Sequence, residues 1–146
     1  MNHPTSPIME SPNYLAVLVA GLVPMFIGFL WYGPLFGKKW MAYRGKTEEE
    51  LQEEINPPKT YGVTVLMSII TAYVLSHVVW AFGAATGESG LMLGLQAGFW
   101  SWLGFVVTTH WNAVAFEAKE LGHMILDTAA ALVGLLIMGS ILALWT

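Results

Sequence analysis

Five side chains that can carry or accept a proton stand inside or at the rim of long apolar stretches: His77, His110, Glu117, His123 and Asp127. An aspartate at the centre of a membrane helix costs about 2.5–3.5 kcal/mol on insertion scales, so each such residue is a functional candidate by default. His123 precedes Asp127 by four residues and shares its helical face, which Ala130, Ala131 and Gly134 continue. Small residues around a carboxylate mean a face turned toward another helix. The expected partners are Asn112 or Thr108, and a polar pocket is expected from Asp127, His123, Asn112 and Thr108 with the Trp31–Tyr32 corner. Imidazole titrates near neutrality. Protonation of Asp127 or a histidine is therefore the expected step by which such a pocket couples to movement of a solute.

The same residues give weak support to other chemistry. Imidazole with carboxylate suits zinc or iron, and His110, Glu117, His123 and Asp127 all fall near one membrane face. None has the HExxH arrangement, and the two helices present them from opposed faces, so no metal and no cofactor are expected. No Ser/His/Asp set, glycine-rich phosphate loop or carboxylate pair at a catalytically useful spacing appears, so no catalytic residue is assigned. His110 lies opposite the small residues of its own helix, with Phe99, Leu103, Val106 and Glu117 on its face. Three readings stay open for it: reaching to the nearby surface, being covered by a second subunit, or lining a cavity. His77 has Tyr73 and Trp80 as same-face neighbours, and capping by tyrosine or a backbone carbonyl is expected there.

The elements that must position these groups are membrane spans. Of 146 residues, 55% are hydrophobic and only 11% charged, against about 25% charged in a soluble domain; the mean hydropathy is +0.58. Four apolar stretches, about 13–34, 61–83, 91–116 and 122–145, are each long enough to cross a hydrocarbon core of roughly 30 Å. They leave a short proline-containing tail over 1–12, a polar loop over 35–60 and two tight turns. In the loop, Thr47 and Glu50 predict a capping box opening a short amphipathic helix, which Asn56, Pro57 and Pro58 end. In the third span Gly90, Gly94, Ala97, Ser101, Gly104, Thr108, Asn112 and Ala115 fall within roughly 40° of one line on an ideal helix. Such a stripe predicts close helix packing, joined from the fourth span by Ala130 and Gly134.

All six Lys and Arg side chains fall on one side, in the 35–60 loop and at Lys119. The positive-inside rule then puts that loop in the cytoplasm and both termini outside. The fold expected is all-α, one integral membrane domain built as a four-helix bundle in the cell membrane. A weak internal echo, Trp31–Phe36–Lys38 against Trp111–Phe116–Lys119, raises a duplicated two-helix hairpin. No cysteine is present, and no basic patch suggests nucleic acid.

The stretch WYGPLFGKKW (31–40), the TEEE that follows and LDTAAALVGLLIMGSILALW (126–145) together resemble the family catalogued as domain of unknown function 1761. The resemblance implies a compact four-helix membrane protein and carries over no activity, cofactor or catalytic residue. The function expected is an oligomeric transporter or permeation protein acting on a small molecule or ion. The alternative is a scaffold or accessory subunit of a membrane complex, and a membrane-embedded enzyme is disfavoured.

Overall fold

The structure is a computed structural model that describes residues 11–145, so the tail expected over 1–12 lies mostly outside the described residues. Helix α1 spans Tyr14–Leu30, capped by the Asn13 side chain, and runs on into a π-helical turn over Trp31–Leu35. Helices α2 (Gly37–Arg44) and α3 (Glu48–Glu54) fill the polar loop. Helix α4 is Pro57–Thr86 and α5 is Gly90–Ser101. A second π segment, Trp102–Val107, joins α5 to α6 (Thr108–Phe116), and α7 is Leu121–Leu144. Four rods, Tyr14–Leu35, Pro57–Thr86, Gly90–Phe116 and Leu121–Leu144, are long and apolar enough to span a bilayer, and among the described residues there is no strand.

Most boundaries fall within a few residues of the pattern, and the exception has a cause. Asn56 does end the loop helix, but its side chain also caps the next one, accepting from the Lys59 amide at 3.4 Å. Pro57 and Pro58 then occupy the first helical turn, where a missing N–H costs nothing. The second span therefore starts four residues before Tyr61. The capping box forms as expected, with Thr47 and Glu50 bonded reciprocally. Glu54 anchors the loop from the other end, paired with Lys46 and, at 3.6 Å, with Arg44. The Lys46 hydrogen bond holds the Glu54 carboxyl below the usual glutamate range, outweighing a smaller opposing effect of burial.

The rods pack around the order α1, α4, α5, α7, with α4 also touching α7 and the tightest contact between α5 and α7. Its cause is glycine. A Cβ on Gly94 would collide with the Gly139 carbonyl, one on Gly139 with the Gly94 carbonyl, and one on Gly98 would stand 2.6 Å from the Leu135 carbonyl. Gly21 plays the same part between α1 and α4, where a methyl group on it would stand 2.9 Å from Ile69 Cα. With no hydrophobic effect to join helices in lipid, backbone approach and dispersion hold them. The outer surface is correspondingly apolar, with Phe29 at 74% and Phe105 at 72% exposure.

The small-residue stripe expected along the third span turns inward from Gly94 to Ser101 and outward after it. Gly94 and Ala97 are buried and Ser101 half-buried, whereas Gly104, Thr108, Asn112 and Ala115 face outward. The π segment explains the change. An i→i+5 turn takes one residue more than an α turn, which rotates everything after it by about 100°. The inward face passes from Ser101 to Val106, then to His110 and Ala113. Gly90 proves to be a turn residue, with φ +64° at the start of α5.

Candidate functional site

The carboxylate of Asp127 projects from the second turn of α7 into the bundle, one-fifth exposed. Its Oδ1 accepts from the Tyr32 hydroxyl at 2.8 Å. Its Oδ2 accepts from Lys119 Nζ at 2.6 Å and lies 3.4 Å from His123 Nε2. Each partner is delivered by a distinct local device. Tyr32 sits in the π turn that ends α1, closed by the Phe36 amide on the Trp31 carbonyl at 2.9 Å. Lys119 stands in the hairpin between α6 and α7, beside Ala118 at φ +56°. That tight turn bends the chain back within reach of a carboxylate eight residues on. His123 follows from the i, i+4 spacing on α7.

A juxtamembrane helix covers the cluster. Tyr43 of α2 stacks on the His123 ring, centroids 5.4 Å apart and planes 4° from parallel, and its hydroxyl occupies the space that a side chain on Gly122 would need. Trp40 packs on Tyr32 at 5.2 Å. Two indoles clamp α7 from either side of the carboxylate: Trp31 Nε1 donates to the Leu126 carbonyl at 3.0 Å and Trp102 Nε1 to the Thr128 carbonyl at 2.7 Å. Both tryptophans open a π turn and both precede a glycine by two residues. The structural echo of Trp31 is therefore Trp102. Trp111, which the sequence pattern suggests, is exposed.

Below the carboxylate a partly open cavity of ≈ 340 Å³ lies among α1, α4 and α7, with Val106 against it. Its volume falls within the range of small-molecule sites. Two glycines border it, where a methyl on Gly28 or on Gly134 would meet nothing within 4 Å. Gly134 thus lines space instead of packing, which corrects its expected role, while Ala130 is buried at the cavity wall. The polar groups on the lining are Asp127, Tyr32, Ser68 and Thr71.

Of the residues expected in the pocket, Asp127, His123 and Tyr32 meet, and Trp31 braces them. Asn112 and Thr108 do not join, because the π segment turns them outward; Thr108 bonds its own Gly104 carbonyl at 2.6 Å. His110 is half-buried and its Nδ1 pairs with the Val106 carbonyl at 2.8 Å, while Glu117 is exposed at the end of α6. His77 Nδ1 pairs with the Tyr73 carbonyl at 2.9 Å, its ring edge-on to Tyr73. Among the described residues no three His, Asp or Glu side chains come close enough to share a metal ion. The residues that sequence reasoning missed are Lys119, Tyr43, Trp102 and Ser68. The repeated Trp-x-Gly at 31 and 102 is the signal that would have found Trp102.

The family model described as protein of unknown function (DUF1761) matches residues 15–143. The chain belongs to the DUF1761 family. Every residue of the Asp127 cluster, its aromatic cover and the cavity lies within the matched region, so the site is built from the family's own domain. For this DUF1761 chain no curated protein and no solved structure gives a match.

Proposed function

We propose that this chain is a small membrane transporter that admits a solute into the cavity beside Asp127 from the cytoplasmic side. One observation carries the reading: a carboxylate, held by a tyrosine and a lysine, stands at the wall of a space large enough for a small molecule. A buried ion pair is a weak contributor to stability, since desolvation offsets most of its attraction. Functional use explains its presence better than structural need. The cytoplasmic assignment of this end rests on the six Lys and Arg side chains gathered there. Protonation of Asp127 or His123 is the step that would couple solute movement to a proton gradient.

In reconstituted vesicles, an Asp127→Asn variant that folds normally is expected to lose solute-dependent proton movement by at least tenfold. Unchanged flux would remove the reading. Scaffolding is the second reading, favoured by the outward row of Gly104, Thr108 and Asn112. An exposed amide at a lipid-facing position is satisfied by a facing helix, which suits either a homo-oligomer or attachment to a larger complex.

A further inference from the structure

Ser68 differs from every other hydroxyl-bearing Ser or Thr along the apolar length of α4. Thr64, Thr71, Ser76 and Thr86 each donate to a carbonyl three or four residues back, the usual way a helix satisfies a hydroxyl in an apolar setting. Ser68 is 92% buried, being 8% exposed. It has no hydrogen-bond partner among the described residues, yet no side-chain polar atom among them is sealed from contact without one. Its hydroxyl opens onto the cavity it lines. A hydroxyl at that depth without a partner is unfavourable until a group reaching it from the cavity supplies one. The cavity therefore holds an unused hydrogen-bonding group in its wall, in addition to the carboxylate.

The Tyr32 and Thr71 hydroxyls on the lining already donate, to Asp127 and to the Met67 carbonyl, and the rest of the lining is aliphatic, from residues such as Pro24, Ile27, Leu135 and Met138. Asp127 is the one lining residue with a formal charge, and it is negative. Its counter-charge is a primary ammonium, Lys119, which arrives from the hairpin outside the cavity on a long flexible stem. We propose that the cavity binds a small organic monocation with an apolar body, whose ammonium displaces Lys119 from Asp127 while a polar group or N–H meets Ser68. Lys119 is then a tethered stand-in for the ligand's own charge, closing the site when it is empty. The exchange replaces one ammonium–carboxylate pair by another, and the released Lys119 returns to the water at the hairpin. A ligand lacking a cation would leave the Lys119 pair in place, and an anion would meet the carboxylate directly. This inference rests on the transport reading for its purpose but is tested by binding alone.

The test titrates phenethylamine into the purified full chain in lipid nanodiscs, with 2-phenylethanol and phenylacetate as neutral and anionic counterparts. The amine is expected to bind at least tenfold more tightly than either. Lys119→Gln is expected to tighten amine binding several-fold by removing the competitor, whereas a purely structural ion pair predicts weaker binding. Ser68→Ala is expected to weaken the amine several-fold, and Gly134→Leu to abolish binding by filling the space without touching the ion pair. The double variant Lys119→Gln/Asp127→Asn, neutral at both positions, is expected to melt within a few degrees of the parent and to lose amine selectivity. Equal binding of amine and alcohol, or weaker amine binding by Lys119→Gln, overturns the proposal. Amine binding without flux would leave it standing and remove transport instead; flux of other solutes without amine binding would do the reverse.

Discussion

Asp127 shows how one carboxylate is made tolerable near a bilayer. Alone it would cost about 2.5–3.5 kcal/mol at a helix centre; here it sits two turns from the end of α7 and takes a hydroxyl, an ammonium and an imidazole at 2.8, 2.6 and 3.4 Å. A hydrogen bond to a charged group contributes about 1.5–3 kcal/mol. Tyr32→Phe is therefore expected to lower stability by about 1.5 kcal/mol and to leave Lys119 as the main support, read from unfolding in a mixed-micelle denaturant series. That Asp127 points inward is legible from its small-residue neighbours Ala130 and Gly134. Its partners are not. Lys119 lies eight residues away across a turn whose geometry depends on Ala118 at φ +56°, and no periodicity encodes that.

Among the elements, α1, α5 and α7 show a division of labour between glycines. Gly94, Gly98 and Gly139 are contact points where a methyl would strike a carbonyl, and Gly28 and Gly134 border empty space. Substitutions should separate the two groups. Gly134→Ala is expected to stabilise by about 0.5–1 kcal/mol, the ordinary helix gain over glycine. Gly94→Ala and Gly139→Ala are expected to destabilise by about 1–3 kcal/mol, the usual cost of overpacking, checked by thermal melting in one detergent. The helical stripe is readable as far as Ser101 because an α-helix holds its phase at 100° per residue. Beyond that point the reading fails, since the π segment over Trp102–Val107 shifts phase without changing composition. An unbroken α-helix would turn Thr108 and Asn112 inward and His110 outward, the reverse of their positions.

At the scale of the whole molecule, four apolar rods are evident from hydropathy alone, because lipid imposes length and polarity on any span. The packing order of those rods is not, as each is apolar on most of its surface. Asn13 Nδ2 reaches the Trp145 carbonyl at 3.4 Å, which brings the ends of the first and last rods to one side. The outward Gly104–Thr108–Asn112 row leads to an expected self-association: native mass measurement in nanodiscs should give a multiple of 16.0 kDa, and Asn112→Leu should return the monomer. A monomeric parent would leave that face to lipid.

A helix that carries one surplus residue is open to correction by loss. Removing a single amino acid between Trp102 and Val107 would shorten the rod by only about 1.5 Å, well within what a bilayer accommodates by tilt. Yet it would swing the following half back by about a quarter-turn, pulling Thr108 and Asn112 into the interior and expelling His110 toward the acyl chains. Variants of this chain that differ by a one-residue gap there would share its four spans and its carboxylate, and would present their neighbours with a different surface.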